Sequence, residues 1–133
     1  MKLTKQGIDL GIVTRDAATM LKFYHETLGL PLETTIPMPG GGTMHRLKVG
    51  ESIVKIVETD PSPSADAIPG GIRAATGYRY WTLTIEALAD CVARCEAAGY
   101  KTVVPCKTIR PGVSIAIISD PDGNWVELLE NAH

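Results

Sequence analysis

The sequence contains the same pattern twice. Asp16 opens the stretch AATMLKFYHETLG and Glu86 opens ALADCVARCEAAG, and in both the closing glycine, Gly29 or Gly99, stands thirteen residues after the acid. A repeat of this kind means one supersecondary unit used twice, and any fold proposed for the chain has to accommodate two copies. Leu21, Tyr24 and Leu28 in the first stretch, and Leu88, Val92 and Cys95 in the second, recur at helical spacing, so each stretch is read as a helix with one apolar face. Asp16 is placed to cap the first helix, and the two glycines supply the left-handed stops that helix ends favour.

The flanks repeat as well. A short strand precedes each helix, over residues 7–14 and 80–85, and strand-like segments follow it. The last of these reads Ile53-Val-Lys-Ile-Val-Glu58 in the first half and Trp125-Val-Glu-Leu-Leu-Glu130 in the second. Each half is therefore β-α-β-β-β, and the fold class is α+β. Residues 59–79, TDPSPSADAIPGGIRAATGYR, are read as a linker between module 1 (residues 1–58) and module 2 (residues 80–133) of a single domain. Pro37 to Thr43, PMPGGGT, reads as a second flexible stretch. One helix covers only one face of a four-stranded sheet. Two such units side by side would make a curved eight-stranded mixed sheet with a pocket on its concave side, and a homodimer is the expected assembly.

Composition narrows the partners. A chain of 133 residues with 44% hydrophobic and 21% charged residues can bury one core and is not a disordered segment. The net charge of −2 comes from acids and bases scattered along the chain, so no basic stripe is available for nucleic acid. Apolar runs are strand-sized and the first residues, MKLTKQG, carry no apolar export segment, so no membrane association is expected. Cys91, Cys95 and Cys106 form no CxxC pair. They are read as reduced thiols of a cytoplasmic protein.

Two motifs, Phe23-Tyr24-x3-Leu28-Gly29-Leu30 after an acid-started helix and Asp120-Pro-Asp-Gly-Asn-Trp-Val-Glu127-Leu-Leu-Glu near the C-terminus, combine with the duplication. Together they resemble the vicinal oxygen chelate superfamily, which includes the glyoxalases, bleomycin-resistance proteins, extradiol dioxygenases and methylmalonyl-CoA epimerases. The resemblance covers almost the whole chain and speaks to fold more than to any one activity. It implies a metal held by His and Glu side chains from the first and last strands of each half. Carried over one position at a time, those places fall on Asp9, Lys55, Tyr80 and Glu127, of which only Glu127 matches the usual ligand.

That departure sets the functional expectation. A charged ammonium has no lone pair for a metal, and Lys55 would repel one. Two carboxylates could hold Mg²⁺ or Ca²⁺ only weakly. The expectation is a site with no transition metal and no cofactor, with Lys55 roughly where the ion would stand. One reading of Asp9, Lys55, Tyr80 and Glu127 is an ion-pair network filling a retired site. The other is acid–base chemistry, with Lys55 stabilising an enolate or oxyanion, a carboxylate moving a proton and Tyr80 donating a hydrogen bond.

At the level of function this becomes a metal-independent isomerase, epimerase or lyase acting on a small carbonyl-bearing molecule. The alternative is a non-catalytic, resistance-type protein that binds a small molecule or drug. His45 and Arg46 are candidate substrate-binding residues, because neighbouring strand residues point to opposite faces and one of the two must face the pocket. Trp81 and Leu83 are expected against the helix and Tyr80 toward the cavity. His25, His133, Arg73 and Arg79 are expected in solvent. Gly40-Gly-Gly-Thr lacks the Gly-Lys-Ser/Thr of a phosphate loop and reads as a mobile flap.

Overall fold

Strand alternation and strand pairing together decide which side chains share a face. The computed structural model describes residues 1–132, and His133 lies outside the described residues. Its strands are β1 (Asp9–Val13), β2 (Leu32–Pro37), β3 (Gly42–Val49), β4 (Ser52–Thr59), β5 (Tyr80–Thr84), β6 (Thr102–Arg110), β7 (Val113–Ser119) and β8 (Trp125–Asn131). They form two hydrogen-bonded sheets of four, in the orders β1-β4-β3-β2 and β5-β8-β7-β6. In each sheet the first strand runs parallel to the last and the other pairs are antiparallel, so the duplication read from the sequence is a duplication of topology. The chain divides into unit 1, Met1–Asp66, and unit 2, from Ala67 onward, with the boundary inside the expected linker.

In unit 1, α1 (Ala17–Leu21) continues into a π-helical turn over Lys22–Thr27. The Leu28 N–H donates to the Phe23 carbonyl, five residues back, and this wider turn rotates the following side chains. The buried residues are Ala17, Met20, Phe23 and Tyr24, whereas Leu21 before the wide turn and Leu28 after it, both expected on the apolar face, are only half-buried. Tyr24 and Phe23 meet edge to face with ring centroids 4.7 Å apart. In unit 2, α2 (Leu88–Ala97) buries Leu88, Cys91, Val92 and Cys95, as its spacing indicates.

The two helices are capped by a device that the sequence pattern contained without revealing its purpose. The last strand of each module carries, one residue before its end, a glutamate whose carboxylate turns to the start of the module's own helix. Glu58 accepts from the Ala17 N–H at 3.3 Å, and Glu130 accepts from the N–H groups of Ala87 and Leu88 at 2.9 and 3.2 Å. Asp16 caps α1 as expected, taking the Thr19 N–H at 3.1 Å. Glu86 has no such role: Ala87 is the N-cap of α2 and makes no side-chain cap bond, so Glu130 supplies the acceptors.

Two further segments are held by contacts that the sequence does not announce. The glycine-rich stretch is a closed hairpin turn between β2 and β3, with Gly41 N–H bonded to Met38 and Asp60 N–H to Gly41. A Cβ at Gly42 would lie 2.0 Å from the Glu58 carbonyl oxygen, so the turn packs closely against β4 in this structure. Arg79 is not a solvated loop charge. Its guanidinium donates to the carbonyls of Gly71 and Ile68 at 2.8 and 2.6 Å, which ties the 68–79 segment into a folded strap.

Candidate functional site

Each sheet has one face toward its helix and one helix-free, open face, on which Ile53 and Val57 in unit 1 and Ile115 and Ile117 in unit 2 are nonetheless buried. In unit 1, Val54 and Ile56 of β4 pair with Leu10 and Ile12 of β1 and with Leu47 and His45 of β3 on the helix side. The open face then carries three cross-strand rows. The first is Asp9, Ile53 and Lys48; the second Gly11, Lys55, Arg46 and Thr34; the third Val13, Val57, Met44 and Ile36. Strand alternation thus settles the His45/Arg46 pair: Arg46 stands beside Lys55, while His45 is on the opposite face, with its Nδ1 2.9 Å from the Thr35 hydroxyl.

Asp9 and Lys55 come together as the sequence carry-over anticipated, with Lys55 Nζ 3.4 Å from Asp9 Oδ2. The closer cation is Lys5, which is 2.5 Å from Asp9 Oδ1. The hydrogen bond from Lys5 has the largest effect on the Asp9 carboxyl, desolvation opposes it, and the lesser hydrogen bond from Lys55 adds to Lys5, which leaves the carboxyl below its ordinary range. Arg46 uses its Nε on Glu33 Oε1 at 3.1 Å. Sequence reasoning missed Lys5 and Glu33. Lys5 precedes the first strand in a segment with no periodicity to place it, and Glu33 sits at an irregularity between Leu32 and Thr34 where β2 shifts register against β3.

In unit 2, Tyr80 pairs with Trp125 and Thr82 with Glu127. All four side chains lie on the open face, and Trp81 and Leu83 lie on the helix side, as expected. Tyr80 is about half exposed, and the Thr82 hydroxyl donates to Glu127 Oε1 at 2.8 Å. The two units therefore present matching pairs: Gly11 and Lys55 in one occupy the register of Thr82 and Glu127 in the other. The strap packs on this face, since a Cβ added at Gly71 would fall 2.3 Å from the Trp125 ring.

The Asp-Pro-Asp-Gly-Asn motif does its work in a turn. Buried Asp120 accepts from the backbone N–H groups of Asp122 and Asn124 and from the Asn124 side-chain amide, at 2.8 to 2.9 Å, which closes the loop that feeds β8 and sets Glu127 on its strand.

The donor set does not fit a divalent metal. Within unit 1, position 55 offers an ammonium and both Asp9 oxygens are engaged by lysines; within unit 2, Tyr80 offers a phenol and Glu127 Oε1 accepts from Thr82. Among the described residues no three His, Cys, Asp or Glu side chains group closely enough to hold an ion. Cys91 and Cys95 are buried in unit 2. The hydrogen bond from Cys95 draws the Cys91 thiol down to about 7, while the bond to Cys91 and burial push the Cys95 thiol up. No helix is long and apolar enough to cross a membrane among the described residues.

The same architecture occurs in solved structures at low sequence identity. A glyoxalase family protein from Bacillus cereus superposes with a TM-score of 0.87 at 20% identity, covering 100% of this chain and 97% of that one. A V278E mutant of glyoxalase I from Zea mays gives a TM-score of 0.76 at 20% identity over 94% of this chain and 44% of the maize chain. TnmS3, an antibiotic binding protein from Streptomyces sp. CB03234, gives a TM-score of 0.69 at 21% identity over 93% of each chain. No curated protein matches the sequence. Residues 8–128 match the family described as Glyoxalase/Bleomycin resistance protein/Dioxygenase superfamily, and with the duplicated β-α-β-β-β topology this makes the chain a member of that superfamily.

Proposed function

We propose that the protein is a small-molecule enzyme of this superfamily that works without a transition metal, as an isomerase, epimerase or lyase on a carbonyl-bearing substrate. The observation that carries this reading is the Asp9–Lys55 pair on the open face of unit 1, where an ammonium replaces a metal-binding acid. Lys55 would offset negative charge developing on a substrate oxygen, the task a Lewis acid performs elsewhere. Asp9, held ionised by its lysines, is the proton acceptor and later the donor. A low carboxyl pKa makes it a weak base, so the reaction depends on Lys55 lowering the acidity gap at the carbon beside the carbonyl. On unit 2 the matching positions, Tyr80 and Glu127, are assigned a hydrogen-bond donor and a second proton-carrying carboxylate.

The test is solvent exchange. A panel of 2-oxo acids, ketones and aldehydes is incubated with chelator-treated protein in deuterium oxide and read by NMR. Deuterium entering beside the carbonyl, lost in Lys55→Met and not increased by added Ni²⁺, Zn²⁺ or Mn²⁺, supports the reading. Exchange that requires one of those ions sinks it.

A second reading is a binding protein of the resistance type. It is favoured by the ends of the third row, Val13 at 54% and Ile36 at 40% exposed on either side of buried Val57, by half-exposed Tyr80, and by the likeness to an antibiotic binding protein. Tight binding with no exchange in any panel member would select it. Under either reading the protein is proposed to act in the cytoplasm as a homodimer; a monomer by light scattering would remove the dimer.

A further inference from the structure

The three rows on the open face of unit 1 are sorted by chemistry. Lys55 and Arg46 are cross-strand partners, with side chains 27% and 23% exposed. Their neighbours one row away are Val57 and Met44, and the apolar row continues to Val13 and Ile36 on the flanking strands. Rows on one face of a strand are separated by two residues, about 7 Å. A polar head and an apolar body of a small molecule fit across that step.

The charges at the head end are unbalanced. Asp9 serves two lysines, and the Arg46 ion pair uses only its Nε. Beside them opens a cleft of about 330 Å³ that also holds Lys48, Glu33 and Glu51. The cleft's lining, Lys5, Arg46 and Lys48 with Glu33 and Glu51, taken together with the adjoining Lys55–Asp9 pair, carries one surplus positive charge on a chain whose net charge is −2.

Row two also has a gap. Gly11, directly beside Lys55 in the sheet, has no atom within 4 Å of where its Cβ would be. A strand glycine without a steric reason costs β-sheet stability, and open space beside it leaves room for close approach of a ligand.

Resting on the proposed reading of Asp9 and Lys55, we infer that the ligand is an organic monocarboxylate with an apolar body: its carboxylate meets Lys55 and Arg46, and its body passes over Gly11 onto the row Val13, Val57, Met44 and Ile36. Carboxylate against a lysine and a guanidinium gives charge-assisted hydrogen bonds, a carbonyl next to the carboxylate stays within reach of the same Lys55, and the aliphatic row beyond rewards apolar surface but offers no partner for a further polar group. An uncharged isostere would leave the surplus cation unpaired.

The experiment is titration of ¹⁵N-labelled full-length protein with phenylacetate, phenylpyruvate and octanoate, and with the amide of each, read by chemical-shift changes and calorimetry. At least one carboxylate should shift the amides of β1, β3 and β4, and its amide should bind weaker by about tenfold or more. Gly11→Val fills the gap with a strand-favouring side chain that meets no atom, so its melting temperature should hold while carboxylate affinity falls by a similar factor; Lys55→Met should lower affinity as well. Amides binding as tightly as the acids, or Gly11→Val binding normally, would overturn this inference and leave the acid–base reading standing. Carboxylates that bind by shifting only β5 and β8 would overturn the placement. If none of the acids, amides, ketones or aldehydes produces a shift in either unit, both the inference and the reading beneath it fail.

Discussion

Asp9 is closer to Lys5, four residues before it, than to Lys55 on the neighbouring strand: 2.5 Å against 3.4 Å. The carboxylate is therefore anchored locally and shared with the strand, and the lysine read from the sequence as the organising charge is the second of two. The first lies outside the strand that the family pattern describes.

This ordering predicts the titration of Asp9. Because its folded-state pKa is depressed, the interaction favours the native state above the ordinary carboxylate range and is lost as pH falls through the depressed value. In NMR titrations, Lys5→Met should return the Asp9 carboxyl toward its ordinary range by more than Lys55→Met does. The reverse order would show that Lys55 holds Asp9 and that Lys5 is solvated.

The terminal glutamates predict an unequal pair of cap variants. Glu130→Ala removes the acceptor of two backbone N–H groups from α2, where Ala87 supplies no side-chain cap, and should cost about 1–2 kcal/mol in urea unfolding. Glu58→Ala removes one acceptor at 3.3 Å from a helix that Asp16 already caps, and should cost less. Equal losses would mean that the carboxylates act through general charge rather than by capping.

Gly71 is fixed twice, by a φ of +64° and by the Trp125 ring against the place a side chain would fill. Gly71→Ala should destabilise unit 2 by about 1–3 kcal/mol through overpacking and left-handed strain, and should raise indole fluorescence sensitivity to quencher as the strap lifts. Gly77→Ala has a positive φ but open space, so it carries the strain without the clash and separates the two causes.

The duplication, the succession of elements within a module and the helix-facing side of β5 were legible in the sequence, because period and repeat spacing are local signals that tertiary packing here respects, and the Asp9–Lys55 pair followed from the family resemblance. The rest depended on events with no such signal. A π-helical turn over Lys22–Thr27 changes the phase of the first helix, so Leu28 leaves the core face that a 3.6-residue period assigns it. Arg79 binds carbonyls in a segment whose composition reads as linker. The close packing of the glycine run on β4 at Gly42 has no mark in its composition. Site identity was legible only by position: the residue at 55 follows from carrying over the ligand places that the family resemblance implies, whereas the partner Lys5 and the gap at Gly11 required the strand register.

Lys55→Met separates the functional readings from a purely structural one. The Lys55 side chain is 27% exposed and its partner Asp9 keeps Lys5, so losing the pair does not strand a buried charge, and the melting temperature should change little. Turnover should vanish if the protein is an enzyme, because removing the ammonium removes the one group at this position that offsets charge developing on the substrate oxygen. In a binding protein affinity should fall without any turnover to lose. A large drop in melting temperature with no effect on any ligand would show instead that the pair holds the sheet together and has no part in chemistry or binding.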